Sequence, residues 1–332
     1  MFIPQSYSLA VILCIVTMLC WGSWGNTQKL AGKSWRFELF YWDYVLGILV
    51  FALLLGFTLG STGENGRSFI PDIKQADPGN ILNSLLGGVI FNASNILLVA
   101  AMAIAGMAVA FPVGVGIALA LGVIINYIAT PKGDPVILFA GLALIVAAII
   151  IDAVAYKKHS SSQQRVSGKG IILSVAAGVL MSLFYRFVAS SMVTDFMVPE
   201  AGKLTPYSAV FFFSIGVVAS NFIFNYILMK KPIEGPPLSF SDYGRGSIGV
   251  HLTGILGGVI WCIGMAMSII ASGKAGFAIS YGLGQGATLI AALWGVFIWK
   301  EFRGAKRNVN ILLALMFLAY LIGLGLLVYA GA

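Results

Sequence analysis

Charged side chains are scarce in this sequence. Asp, Glu, Lys and Arg make up 10% of the 332 residues, whereas apolar residues make up 59%, and the mean hydropathy is +0.95. Soluble globular domains carry about 25% charged residues. The composition therefore excludes an ordinary soluble domain and favours a protein that is embedded in a membrane.

Cysteine and histidine are also rare, with three and two residues. Cys14, Cys20 and Cys262 all lie inside apolar stretches, and their spacing matches neither a disulfide framework nor a metal site. We therefore expect small packing residues, no metal ion and no bound cofactor. The N-terminus lacks a basic leader and a nearby small-residue cleavage site, so we expect the first apolar run to be retained.

Long apolar runs dominate the rest of the chain. A run of about 20 apolar residues crosses the hydrocarbon core of a membrane, and a helix satisfies its backbone polar groups there. The sequence predicts an all-α membrane protein with no separate soluble domain. Its ten transmembrane helices, called spans 1 to 10, are predicted at residues 8–27, 38–60, 81–105, 108–129, 134–156, 169–191, 207–229, 248–272, 275–299 and 309–330.

Lys and Arg are distributed unevenly between the connections. The connections after odd-numbered spans carry fourteen of them and those after even-numbered spans carry five, while Arg186 lies within span 6. Basic residues accumulate in cytoplasmic loops. We therefore predict an inner-membrane protein with both termini in the periplasm. The basic loops beside the lipid bilayer also account for the net charge of +8. We therefore expect no nucleic-acid partner.

The segment Leu-Gly-Gly-Val-Ile occurs at 86–90 and again at 256–260. Without gaps, 86–128 and 256–298 share 13 of 43 residues, among them Gly88/Gly258 and Gly114/Gly284. Spans 3 and 4 thus correspond to spans 8 and 9, and a five-span repeat crosses the membrane in opposite directions. We predict two inverted five-helix repeats, 1–160 and 161–332, within one transmembrane domain, with a substrate site near the midplane.

Two glycine-rich segments, 111–122 and 281–292, occupy matching positions in the repeats. Their glycines either permit close helix packing or loosen the helix beside a cavity. Pro112 removes one helical hydrogen bond and favours the second interpretation. In that case Phe111 and its mate Tyr281 form apolar walls of a binding site, and the amide of Gln285 binds polar groups of a solute.

Several polar and aromatic residues inside the spans are further candidates. Asn92 and Asn95 share one helix face, where they either hydrogen-bond a neighbouring helix or bind a solute. The interfacial aromatic belt accounts for Trp21 and Trp24 but less well for Tyr185 and Trp261, and the alternative for these two is that their rings stack on a planar heterocycle or a sugar ring. Ionisable groups within spans are functional candidates by default. These are Arg186, at the substrate site, and Asp43, as the proton-coupling residue.

Several motifs resemble the ureide permease family. CWGSWGNTQKL followed by FYWDYVLG is similar to the first two spans of the plant proteins, and the similarity continues in order through GGVIFNASN, GVIINYI, LTPYSAVFFFSIG, GRGSIG and LWGVFIWKEFR. The family belongs to the drug/metabolite transporter superfamily. By position, matches to family residues are found at Asp43, Asn95, Asn126, Gln285, Trp294 and Glu301. The central connection is shorter than in the plant proteins, and the segments around Asn92 and Pro112 differ.

The resemblance implies a secondary carrier, proton-coupled and importing a small polar, largely uncharged solute such as a ureide, a nucleobase-like compound or a pentose or other sugar. Spans 1, 3, 4, 6, 8 and 9 are expected to surround its cavity, in a monomer or homodimer. The alternatives are an exporter of the same superfamily, a channel, or a membrane-embedded enzyme. No clustered carboxylates favour an enzyme, because Asp43 and Asp152 are expected near opposite membrane faces.

Overall fold

The computed structural model describes residues 1–32, 35–105, 107–159, 167–233 and 235–332, without the side chains of residues 107 and 108. The predicted boundary between the repeats, at 160/161, and Gly106 lie outside the described residues. Apart from one isolated bridge between Met192 and Leu204, the regular structure in the described ranges is helical. The predicted all-α class is therefore confirmed.

Ten membrane-spanning segments were found among the described residues, as the sequence predicts. Two short helices, α4 (Phe69–Gln75) and α10 (Phe240–Gly244), lie in the connections. In chain order, spans 1 to 10 consist of α1 (Tyr7–Ser23) with α2 (Gly25–Ala31), α3 (Phe37–Phe57), α5 (Pro78–Ala105), α6 (Met107–Ala129), α7 (Pro135–His159), α8 (Gly168–Ser191), α9 (Pro206–Lys230), α11 (Ile248–Ala275), α12 (Phe277–Gly284) with α13 (Ala287–Leu293) and a π-helical turn (Trp294–Ile298), and α14 (Arg307–Ala330).

The two ends of the helix bundle are distinguished by the contacts between their connections. The basic end contains residues 24–32, 35–37, 156–159, 230–233, 235–251 and 294–307, and is held by contacts such as Lys29 with Glu301 and Arg36 with the carbonyl of Pro236. The opposite end contains residues 1–6, 58–77, 130–134, 192–205, 273–276 and 330–332, where, for example, the N-terminal amine of Met1 donates to the carbonyl of Asn65. Most of the Lys and Arg counted above lie at the basic end.

Glycine allows two pairs of helices to touch through their backbones. A Cβ atom at Gly258 of α11 would lie 2.9 Å from the backbone nitrogen of Ile48 in α3, and closer to the carbonyl of Tyr44. A Cβ at Gly88 of α5 would lie 2.8 Å from the backbone nitrogen of Val217 in α9. The two copies of Leu-Gly-Gly-Val-Ile therefore make the same kind of contact, each with the second helix of a repeat, as small residues do in membrane proteins.

The other helix contacts follow the same pairing. Helix α5 packs mainly on α8 and α9, and its counterpart α11 packs mainly on α1 and α3. Helices α7 and α14, the last of each repeat, pack on each other at Gly141 and Gly323. The inverted repeat stays a prediction, which this exchange of partners supports.

The matching glycine-rich segments have different backbones. Helix α6 continues through Pro112 and Gly114. Span 9 is interrupted at Gln285 and Gly286, where the amides of Gly286 and Thr288 donate to carbonyls only three residues earlier. The predicted loosening of the helix therefore occurs in the second repeat, at Gln285, whose side chain lines the cavity.

Candidate functional site

A cavity of about 730 Å³ extends from the middle of the bundle to the basic end. Its described lining comes mainly from spans 1, 3, 4, 6, 8 and 9, as the sequence predicts, with contributions from the connection after span 1 and from Tyr156 of α7. Ligand pockets commonly measure about 300–1,000 Å³. The space is therefore adequate for a small solute and water.

Aromatic rings form the inner wall of the cavity. The rings of Trp21 and Trp261 stack with centroids 5.8 Å apart, and Phe91 packs on Trp261 at 4.3 Å. The indole nitrogen of Trp21 donates to the carbonyl of Trp261 at 3.2 Å, so span 1 is fixed to α11 at this wall. Phe111 and Phe184 also line the cavity. Flat apolar faces of this kind suit a planar ring or the apolar face of a sugar.

Polar groups of the inner cavity are uncharged. Asn95 lines the cavity, and its side-chain nitrogen donates to the hydroxyl of the fully buried Tyr41 at 3.0 Å, which fixes the amide. Gln285 and Thr288 line it from the interrupted span 9. The charged residues of the described lining are Lys29, Arg36 and Glu301, and all three lie at the basic end. The inner site therefore presents amides and hydroxyls among aromatic rings.

Four of the predicted substrate residues are not among the residues that line this cavity. Asn92 is buried against α9, where it donates to the Ser220 hydroxyl at 2.9 Å. Tyr185 and Tyr281 are buried between helices, and Arg186 of α8 is absent from the lining. Asn92 thus follows the helix-packing interpretation, while Asn95, Phe111, Trp261 and Gln285 come together in the cavity.

The mouth of the cavity carries a group of polar contacts between spans 1, 5 and 9. Glu301 pairs with Lys29 at 3.1 Å and accepts a hydrogen bond from Tyr156. It follows the π-helical turn and Lys300, whose φ of 54° lies in the strained left-handed region.

Asp152 lies one helical turn before Tyr156, and therefore towards the basic end. Its expected position near the face opposite Asp43 is wrong, because α7 runs towards the basic end.

Asp43 lies outside the cavity lining, in a buried cluster near the mouth. Its carboxylate accepts a hydrogen bond from the hydroxyl of Tyr243 at 2.5 Å and lies 3.0 Å from Nδ1 of His251. Burial, and then Asp43, raise the pKa of the Tyr243 hydroxyl, which therefore remains a donor. Trp35 packs edge-on against His251 at 5.0 Å and lines the cavity. The indole ring of Trp35 therefore lies between the Asp43 cluster and the cavity.

The opposite end is closed by a dense set of hydrogen bonds. The buried carboxylate of Asp72 accepts from the backbone and hydroxyl of Thr205, at 2.8 and 2.9 Å, and pairs with Arg67 at 3.0 Å. Arg67 also donates to the carbonyls of Pro199, Glu200 and Lys203. The connection after span 2 is therefore tied to the connection after span 6, and neither connection contributes to the described lining of the cavity.

Sequence reasoning missed several lining residues. Trp21 and Trp24 line the cavity, so the aromatic-belt interpretation of these two residues is wrong. Phe91 was also missed, although the 170-residue offset of the repeat pairs it with Trp261. That offset was the available signal, because two symmetry-related aromatic residues at mid-span are expected to meet near the symmetry axis.

Comparison with known proteins gives the family. The model of the ureide permease family matches residues 40–169 and 157–330. Ureide permease 1 of Arabidopsis thaliana is 22% identical over 98% of both chains. A protein of Enterococcus faecalis named for sugar uptake is 21% identical, over 93% of this chain and 96% of its own. A solved structure with a TM-score of 0.59 and 15% identity covers 96% of both chains and shares the fold. The resemblance of the motifs is confirmed: the chain is a multi-pass membrane protein of the ureide permease family, a transporter of small solutes.

Proposed function

We propose that the protein is a secondary transporter that imports a small, polar, largely uncharged solute across the inner membrane by alternating access. The observation that carries this proposal is the cavity of about 730 Å³, which is open at the basic end, closed at the other, and free of charged side chains in the described part of its inner wall. A channel requires a path open at both ends, whereas a carrier exposes its site to one side at a time.

The substrate class follows from the chemistry of the inner wall. Two amides and the hydroxyls of Ser94 and Thr288 among stacked aromatic rings suit a flat solute whose edge carries amide or hydroxyl groups. Ureides, nucleobase-like compounds and pentoses or other sugars meet this description. The names of the relatives point to ureides in one case and to sugar in the other.

The test is a thermal-unfolding screen of the purified protein against allantoin, uracil, uridine and a series of pentoses and hexoses. A ligand at about 100 times its Kd stabilises the folded state by about 2.7 kcal/mol. We expect one class to raise the Tm, and we expect Asn95→Ala and Gln285→Ala to reduce that rise. The matched control is Asn92→Ala, which removes an asparagine from the same helix outside the cavity. A rise that is unchanged in both cavity variants would overturn the assignment of the site.

Orientation is the second part of the proposal. The fourteen Lys and Arg of the odd-numbered connections favour a cytoplasmic basic end, so the cavity faces inward and both termini lie in the periplasm. Reporter fusions at residue 332 and in the connection after span 7 test this. We expect activity of a periplasm-specific reporter only at the C-terminus. The reverse pattern would make the open cavity outward-facing.

Asp43 is our proposed coupling residue. It is an ionisable group within a span, it lies beside His251, and Trp35 connects it to the cavity. In proteoliposomes, we expect Asp43→Asn to abolish solute accumulation driven by an imposed pH gradient and to leave counterflow of labelled against unlabelled solute intact. Glu38→Gln, on the same helix, is the matched control. If Asp43→Asn still accumulates solute in response to the pH gradient, proton coupling does not pass through this residue.

A further inference from the structure

Symmetry-related residues of the two repeats lie differently relative to the cavity: residues of the first repeat line it, whereas their mates in the second repeat are not among the described residues of its lining. Leu98 and Met102 of α5 and Phe111 of α6 line the open cavity. The 170-residue offset pairs them with Ser268, Ser272 and Tyr281, whose exposed fractions are 0, 4 and 0%. In the first repeat, the helix faces that carry these residues therefore border the cavity. In the second repeat, the corresponding faces are packed against other helices at the closed side of the site.

The buried faces are joined by one tyrosine. The hydroxyl of Tyr185 in α8 lies 3.0 Å from Oγ of Ser268 in α11 and 2.9 Å from Oγ of Ser280 in α12. The hydroxyl of Tyr281 donates to the carbonyl of Ala118 at 3.2 Å. Four helices, α6, α8, α11 and α12, are thus connected at the level where the inner cavity ends.

The chemistry of this cluster suits a contact that opens and closes. Leu98 and Met102, at the side already open, are apolar, whereas their mates Ser268 and Ser272 carry hydroxyl groups. A buried hydroxyl needs a partner within the protein, as Ser268 has in Tyr185 and Ser272 has in the carbonyl of Ile269, but in an open, hydrated path water can replace such a partner at little net cost. Separation of these helices is therefore less costly than separation of a tightly packed apolar core of the same size.

We propose that Tyr185, Ser268 and Ser280 form the closed gate of a second, oppositely directed access path, lined by Ser268, Ser272 and Tyr281 in the alternate state. The proposal rests on the alternating access of the proposed function and deepens it. It also gives Tyr185 and Tyr281, which sequence reasoning placed at the substrate, a position on the substrate path outside the present cavity.

Cysteine accessibility tests the gate without knowledge of the substrate. In a background in which Cys14, Cys20 and Cys262 are replaced by Ala, single cysteines are introduced as Ser272→Cys and Met102→Cys. An impermeant maleimide is then applied to each side of proteoliposomes in turn. We expect Met102→Cys to react from the basic end and Ser272→Cys to react slowly from either side.

The decisive variant is Tyr185→Phe, which keeps the ring and removes the hydroxyl. We expect it to raise labelling of Ser272→Cys from the opposite end about three- to tenfold, the range that one hydrogen bond contributes to an equilibrium. Labelling of Met102→Cys from the basic end should fall in parallel. Ser268→Ala should shift both sites in the same directions, and Ser190→Ala, whose hydroxyl bonds only within α8, should shift neither.

Increased labelling at both cysteines would indicate general loosening and overturn the proposal, as would no change at either. Counterflow with the solute found in the screen is measured on the same preparations. An exchange of labelling without transport would support the gate and refute the carrier function. Transport with no exchange of labelling would support the carrier and refute the gate.

Discussion

The contact of Gly258 with α3 gives the sharpest prediction about stability. In Gly258→Ala the new Cβ meets the backbone of Tyr44 and Ile48, with Ile48 N at 2.9 Å, whereas favourable contacts between heavy atoms lie at about 3.5–4.0 Å. The helices must separate locally by roughly 1 Å, because backbone atoms cannot change rotamer. Overpacking of this kind costs about 1–3 kcal/mol.

The assay is thermal unfolding of purified protein in detergent. For a chain of this size, about 1–3 kcal/mol corresponds to a fall in Tm of several degrees. Gly88→Ala, the symmetry mate, should lower the Tm by a similar amount. Gly325→Ala is the matched control, because its Cβ would meet nothing within 4 Å. If Gly258→Ala unfolds at the same temperature as Gly325→Ala, the backbone contact is not what fixes α11 to α3.

Three further outcomes are expected. Trp261→Ala should weaken solute binding at least tenfold in a ligand titration, since it removes the centre of the aromatic wall. Trp42 is buried outside the cavity, so Trp42→Ala should leave the Kd of the folded protein unchanged. Asp72→Asn should lower the Tm, because it leaves Arg67 without its buried charge partner. Where such a pair is fully buried, the loss is about 3–5 kcal/mol. An unchanged melting curve would show that the opposite end is not held closed by this pair. Tyr41→Phe should raise the Kd about two- to tenfold by releasing the amide of Asn95, a change that equal affinities of variant and wild type would contradict.

The number and bounds of the membrane spans could be predicted from the sequence with good accuracy. Each span depends on a local property, the hydropathy of about 20 consecutive residues, and the ends found in the structure lie close to the expected ones. The glycines of 111–122 and 281–292 had two interpretations, because a glycine repeat does not say whether a helix or a cavity lies beside it. In the structure α6 continues through Gly114, while Gly286 lies at a break in the helix.

The site was harder to predict because rotation about a helix axis decides which neighbour faces the cavity. Asn92 and Asn95 differ by about 60° around α5, and only Asn95 lines the cavity. Asp43 was recognised as an ionisable residue within a span, but its partners Tyr243 and His251 are about 200 residues away in the sequence. Such long-range contacts leave no local pattern.

The backbone contacts at Gly88 and Gly258 also limit how the bundle can move. If α11 slid along α3 by one helical turn, Cys262 would take the place of Gly258 and bring a side chain against the carbonyl of Tyr44, and in the other repeat Asn92 would take the place of Gly88 against α9. Rotation about the point of contact requires no such collision. The pairs α3–α11 and α5–α9 therefore act as pivots, and the displacement of any atom grows with its distance from them. In the alternating access proposed above, the largest travel would be at the two membrane surfaces and the smallest at mid-bilayer, so a bound solute could remain in place while access to it changes sides.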